Sequence, residues 1–491
     1  MRRYRIPTAL AALALSACTD TATAPERVTS PNRVSFSVGG AENADGNYLV
    51  RFRGNGVPDK FAAEVARLGG EVIFAHPIGI AAVAGLDDAR ASRLASSSGV
   101  AAVDADTYVT LDEPVADEVA SADFELASPS NPATAFFFPR QWHLRAIGAH
   151  NAWAAGKLGS PSVRVGILDT GLDYLHPDLA GRVDLALSRS YLSAAENARV
   201  PAGAHLVADL HYHGTHVGAT VASNALAAAG VTSGVTLVGM KVCSPGTPAN
   251  GFTGSCPMSG TLAAILDAAD MGLHVINMSL GGAFTRVGVS ARGGDGPSLI
   301  ATINKVFNYA NHKGLTIVVA AGNNAFDLGR NIIPVQGGTA KVPGLYASYC
   351  DAPAVICVSA TGPTAQASVN GPWTNIDAFA SYSNFGRGAI DVAAPGGNAS
   401  FVYAACSGFT LYPPFAVCRN RASTFVVGLI GTSMATPHVA GTAALIAELV
   451  GRSPSQIGAR LHQTADDLGQ PGNDPSYGHG RINAARAVGA Q

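Results

Sequence analysis

Three side chains have the types that nucleophilic hydrolysis requires, and each stands where the pattern puts a strand end or a helix start. They are Asp169 in "GILDTGLD", His213 in "HYHGTHVGAT" and Ser433 in "GTSMATPHVAG". A serine hydroxyl attacks a carbonyl only when a base takes its proton, and a carboxylate holds that base in the right tautomer. Each residue alone also has a plain structural use, a helix cap for Ser433 or a ribose or metal ligand for Asp169. The histidine segment permits a rival chemistry. His211, His213 and His216 stand in H-x-H-x-x-H spacing, a start on a metal site that needs further ligands at strand ends. His274 and His312 lack ligand-like neighbours, and His438 belongs to the serine segment, so the metal reading is the weaker one.

These residues need a scaffold, and the sequence supplies one. The runs "VRVGILD", "TLVGMKV", "HVINMSL", "LTIVVAA" and "AVICVSA" are continuously apolar, as suits strands of a parallel sheet covered on both faces, and helical stretches separate several of them. The expected architecture is a three-layer α/β domain over residues 136–491 with a mainly parallel central sheet. Asp169 falls at the carboxyl end of a central strand, where open α/β sheets collect ligand and catalytic groups. Ser433 precedes a long apolar helix, so its own N–H points with the helix dipole toward any oxyanion formed beside it. Pro437 is placed in the first turn of that helix, where a missing N–H costs little.

Ahead of this domain, residues 43–112 alternate as β-α-β-β-α-β, a small ferredoxin-like α+β domain. Residues 113–135 are acidic and rich in Ala, Ser and Pro, and read as an exposed linker open to proteolysis. Residues 283–299 and 396–425 read as inserted loops.

The N-terminus has arginines at positions 2, 3 and 5 and then a short apolar run, the layout of a secretory signal over residues 1–17. "LSAC" ending at Cys18 resembles the bacterial lipobox, which would leave Cys18 to be lipidated; cleavage after Ala17 is the alternative. Residues 18–42 read as a flexible tether, and no segment suits a transmembrane helix. Six further cysteines fall into close pairs, Cys243 with Cys256, Cys350 with Cys357 and Cys406 with Cys418. Local disulfides are expected in an oxidising compartment, although six cysteines allow 15 pairings. With 32 basic and 34 acidic residues in 491, no nucleic-acid footprint is present.

The order Asp, His, Ser is one of several that hydrolases use. "DTGLDYLHPDL", "HGTHV" and "GTSMATPHVAG" each resemble one of the three signature segments of subtilisin-like serine peptidases, and the resemblance runs from about residue 140 to "YGHGRINAARAV". It implies a secreted serine endopeptidase with Ser433 as nucleophile, His213 as base and Asp169 as its orienting partner. It further implies that Asn323 of "VVAAGNN" donates to the oxyanion. Backbone groups of Ser279, Leu280 and Gly281 in "NMSLGG" would pair with an extended protein or peptide substrate. The small domain resembles the inhibitory propeptides of these enzymes, which makes it the expected intramolecular inhibitor of a self-processing precursor. A monomer is expected, with no required cofactor. Relatives bind calcium after the histidine helix, but here that region is alanine-rich and only Asp178 remains, too few oxygens for a site, so calcium is not predicted. Gly218 followed by Ala219 reverses the family's usual Ala-Gly.

Overall fold

The computed structural model describes residues 46–111, 115–122, 130–286 and 296–490, with 115–122 as backbone only. The expected signal, tether and Cys18 lie outside the described residues, as do positions 287–295 of one expected loop.

The small domain follows the expected order: β1 (Tyr48–Phe52), α1 (Phe61–Arg67), β2 (Glu71–His76), β3 (Ile80–Ala84), α2 (Asp88–Ala95) and β4 (Val100–Ala105). Its antiparallel sheet runs β2-β3-β1-β4. Alternation along β1 explains how it is used. Tyr48, Val50 and Phe52 pack with Phe61, Val65 and Leu94 from its own helices. Leu49, with Ile80 and Ala82 of β3, faces the other way and joins the core of the large domain.

Two strands follow. The short β5 (Tyr108–Thr110) and β6 (Val115–Ala122) both pair with the large domain rather than with the small one. Residues expected to form an exposed linker therefore include an eight-residue strand. Main-chain pairing on a sheet edge asks little of side-chain pattern, which is why an acidic, alanine-rich stretch can supply it.

The large domain carries a seven-stranded parallel sheet. Its strands are β7 (Arg164–Asp169), β8 (Arg189–Ser190), β9 (Thr236–Lys241), β11 (Val275–Met278), β12 (Thr316–Ala320), β13 (Val355–Thr361) and β14 (Val392–Pro395), arranged β14-β13-β12-β11-β7-β9-β8. The continuously apolar runs are five of these strands, buried on both faces. Val165, Ile167, Val275 and Val318 point into one core, built with α3 (His213–Val221) and α6 (Thr432–Val450). Leu168, Ile276, Ile317 and Val319 point into the other, built with α4 (Met258–Asp270) and α5 (Gly296–His312). That is the expected three-layer arrangement. A separate sheet, β15 (Val402–Ala405), β16 (Thr424–Ile430) and β6, lies beside it, and β10 (Ser255–Pro257) pairs with β5.

All three local disulfides form, Cys243–Cys256, Cys350–Cys357 and Cys406–Cys418. Among the described residues no helix is long and apolar enough to cross a membrane.

Candidate active site

Asp169 is the last residue of β7, His213 the first of α3 and Ser433 the second of α6, so the three elements end at one rim of the sheet. His213 Nδ1 lies 2.8 and 3.0 Å from the two carboxylate oxygens of Asp169. Both side chains are fully buried, where a charge-assisted hydrogen bond gains strength from the low dielectric. Asp169 also accepts the N–H of Thr170 at 2.7 Å. The turn after Asp169 must come very close to α3. A Cβ at Gly171, which has φ +120°, would stand 2.4 Å from the Val207 carbonyl, and one at Gly214 would stand 2.2 Å from the Gly171 carbonyl.

A residue the sequence reading missed ties this region together. Asp209, fully buried, accepts from the Thr170 hydroxyl at 2.8 Å, the His211 N–H at 3.0 Å, and the Thr215 N–H and hydroxyl at 2.9 and 2.6 Å. One carboxylate thus joins the strand turn beside Asp169 to the first helical turn beyond His213. Burial pushes its carboxyl pKa up, against the pull of those donors. No side-chain spacing advertises it, because its partners are mainly backbone and hydroxyl groups.

The three histidines of the H-x-H-x-x-H segment diverge. His211 bonds the Phe252 carbonyl at 3.2 Å and stacks on Tyr212, His213 turns to Asp169, and His216 bonds the Val402 carbonyl at 3.0 Å. Among the described residues no group of His, Cys, Asp or Glu is arranged to hold a metal. Asp178 has another use: its carboxylate accepts the backbone N–H groups of Leu226, Ala227 and Ala228 at 2.8 to 3.0 Å, fixing the alanine-rich loop.

Around Ser433 the structure corrects one expectation. Helix α6 begins at Thr432, so Pro437 is its sixth residue and lies beyond the first turn. Its missing N–H leaves the Ser433 carbonyl without a helical partner. The Ser279 hydroxyl donates to that carbonyl at 2.8 Å and accepts in turn from Asn277 Nδ2 at 2.9 Å. The Ser433 hydroxyl donates to the Ser279 carbonyl at 3.2 Å, so Ser279 and Ser433 grip each other reciprocally. Asn323 stands three residues past β12, and its Oδ1 accepts the Thr432 N–H and hydroxyl, each at 2.8 Å. Those two bonds fix which end of the amide is NH₂.

A segment of the chain itself, β5, packs between β10 and the strand end that follows Ser279. β5 pairs antiparallel with β10, and Leu111 N–H donates to the Gly254 carbonyl at 2.9 Å. A Cβ on Gly254 would meet the Leu111 side chain at 2.4 Å, and one on Gly282 would stand 3.7 Å from a Val109 methyl. Of the expected Ser279–Gly281 segment, Ser279 is occupied with Ser433, and Leu280 is buried. The ladder on β10 had no signal in "TGSCP", a three-residue strand next to a disulfide.

The comparisons agree with this architecture. Residues 160–480 match the family model described as "Subtilase family". Thermitase of Thermoactinomyces vulgaris is 32% identical over 364 residues, covering 74% of this chain and 99% of that protein. Subtilisin Savinase of Lederbergia lenta is 31% identical over 353 residues, covering 71% and 98%. The chain belongs to the subtilase family and is a serine peptidase of the subtilisin type. Two solved structures share its fold. One is the epidermin leader peptide processing serine protease of Staphylococcus aureus, with a TM-score of 0.66 at 20% identity, covering 90% of this chain and 97% of that one. The other is fervidolysin from Fervidobacterium pennivorans, described as a keratinolytic enzyme related to subtilisin, with a TM-score of 0.64 at 22% identity, covering 92% and 62%.

Proposed function

We propose that this chain is an exported, self-processing serine endopeptidase that cuts proteins through Asp169, His213 and Ser433. The observation that carries the reading is the buried His213–Asp169 pair at 2.8 Å; the serine at the start of α6 and the extended β5 strand on β10 support it. Asp169 accepts the Nδ1 proton of His213, which leaves Nε2 unprotonated and able to take the Ser433 proton. The hydroxyl swings from the Ser279 carbonyl to the base and attacks the substrate carbonyl. The Ser433 N–H and the Asn323 amide donate to the oxyanion that forms. His213 then returns the proton to the leaving amine, and water hydrolyses the acyl-enzyme by the same route. Ser279, Leu280 and Gly281 border the cleft on the side facing β10, and the substrate is read through its main chain.

The small domain acts as an inhibitory propeptide. Its Asp106 accepts the Ser259 N–H at 2.9 Å and Ser298 donates to its Asp104 at 2.9 Å, so it satisfies groups in the first turns of α4 and α5. The cut that frees it falls between Leu111 in the cleft and Val115, which pairs with Ile430 three residues before Ser433. Export follows from the signal-like N-terminus, with Cys18 as a site for lipid attachment until processing detaches it. The enzyme works as a monomer.

Ser433→Ala tests the reading. The full-length chain should accumulate unprocessed and casein hydrolysis should vanish. Normal processing of a purified Ser433→Ala chain would refute it.

A further inference from the structure

Resting on the peptidase reading, we infer that Arg421, on the loop joining β15 to β16, is a positioning residue for the Asp169–His213 pair, acting through the buried carboxylate of Asp173.

That loop lies within the segment whose sequence reads as inserted, and the Cys406–Cys418 disulfide closes it. Its contacts reach beyond its own hairpin. The Ser407 hydroxyl donates to the Asp209 carbonyl and the Leu411 N–H to the Leu210 carbonyl, each at 2.6 Å, so the loop lies on the segment that enters His213. Its other attachment is Asp173, fully buried in the turn after Asp169. One carboxylate oxygen of Asp173 accepts from Gly408 N–H at 2.7 Å, and the other accepts from Arg421 Nη2 at 3.0 Å and Leu175 N–H at 3.1 Å. Arg421 supplies the positive charge, with its guanidinium 4.6 Å from the centre of the Phe409 ring. A buried carboxylate that loses its cation is costly, so the position of Asp173 depends on that of Arg421.

From Asp173 the path to the catalytic pair is short. The Asp173 N–H donates to the Thr215 hydroxyl at 2.9 Å, and that hydroxyl donates to Asp209. Asp209 also accepts from the Thr170 hydroxyl, which itself accepts the Gly214 N–H at 2.9 Å. Thr170 follows Asp169 directly, and Gly214 and Thr215 follow His213. A displacement of Asp173 is therefore passed to both sides of the Asp169–His213 contact. The loop that carries Arg421 braces the base without taking part in the chemistry.

The test compares kcat and KM for a peptide anilide in the processed wild type, Arg421→Ala and Arg419→Ala, with active sites counted by a serine-reactive phosphonyl fluoride. Arg419 donates to the Thr410 carbonyl within the same loop, so its loss loosens the loop without touching Asp173. A misplacement of about 1 Å in a catalytic group costs about 10²-fold. Thr170 and Thr215 keep their bonds to Asp209, so kcat in Arg421→Ala should fall about tenfold with KM little changed. Arg419→Ala should keep the wild-type kcat. Arg421 is partly exposed, so guanidinium chloride well below denaturing concentration should restore kcat in Arg421→Ala, where sodium chloride of equal ionic strength should not. A wild-type kcat in Arg421→Ala, a loss carried by KM alone, an equal fall in Arg419→Ala, or a kcat that guanidinium leaves unchanged overturns the inference. Should Arg421→Ala fail to fold, Gly408→Ala decides. Its Cβ would stand 2.9 Å from the guanidinium carbon of Arg421 and push it off Asp173 with the charge retained. A fall in kcat of about threefold at constant KM supports the brace, and a wild-type kcat overturns it. Hydrolysis of the anilide by the wild type, and its loss in Ser433→Ala, report on the peptidase assignment alone.

Discussion

Acid should unfold this protein through three histidines that do no chemistry. His438 Nδ1 lies 2.7 Å from the Met434 carbonyl, which can only accept, so the proton sits on Nδ1 and Nε2 accepts from His143 Nδ1 at 2.8 Å. His216 donates Nε2–H to the Val402 carbonyl. His143 Nε2 and His216 Nδ1 are then buried acceptors with no hydrogen-bond partner among the described residues. A proton on any of the three would place a charge in the core. Burial accordingly pulls His438 down to about 4 and His216 to about 3, and it holds His143 well below its ordinary value, with the neighbouring histidines acting in the same direction. In the unfolded chain each takes a proton near pH ~6.5. Between that value and the folded ones the unfolded state binds more protons, so stability is fully present above the unfolded pKa and is lost as pH falls. Going from about pH 8 to about pH 5 costs about 2 kcal/mol for each of His438 and His216, about 4 kcal/mol together. His462, lowered to about 4 by burial, adds a loss of the same sign, which Asp391 beside it, raised to about 6 by burial, largely offsets. The measurement is the urea midpoint of the Ser433→Ala chain, which cannot digest itself, at about pH 8 and about pH 5. The same pair of midpoints is taken with His216→Gln added, which keeps a donor for Val402 and removes the titration. The difference between the two pH values should shrink by about 2 kcal/mol in the double variant. An unchanged difference would refute the assignment of acid sensitivity to this cluster.

Replacing Asn323 by Ala should lower kcat by about 10² to 10³ with little change in KM, the size known for loss of one oxyanion donor in subtilisin itself; an unchanged kcat would remove Asn323 from the mechanism. Gly214→Ala places a Cβ 2.2 Å from the Gly171 carbonyl, so it should cost about 1 to 3 kcal/mol and lower kcat by displacing the start of α3 from Asp169, read by thermal melting and peptide kinetics. Replacing Cys406 and Cys418 by Ser opens a loop with a sequence separation of 12, worth about 3 kcal/mol in the chain-entropy picture, so Tm should fall by several degrees. That loop also carries Tyr412, whose ring lies 5.1 Å from Tyr212 and 6.2 Å from His211, so KM should rise in the same variant.

What the sequence makes legible is decided by which physical effect leaves a trace in residue types. A strand covered on both faces must be apolar along its whole length, and the five continuous runs are strands of the central sheet. The buried Asp169–His213 pair draws on two side-chain types rarely found without a role in such surroundings, so the pair is readable once both are placed at element ends. Interactions made by the main chain leave little trace. β6 and β10 are held by ladders that any residues could supply, and Asp209 is surrounded by N–H and hydroxyl donors without a pattern. The clearest case is Pro437. Placing it in the first turn treats its missing N–H as harmless, yet in the sixth position that gap frees the Ser433 carbonyl to accept from Ser279. The proline thereby couples the nucleophile's own backbone to the strand end bordering the cleft, 154 residues away in sequence, through the reciprocal bonds between Ser279 and Ser433. A local defect in the helix becomes the contact that locates the serine, and no inspection of α6 alone could reveal it, because the partner that makes use of the defect belongs to another strand.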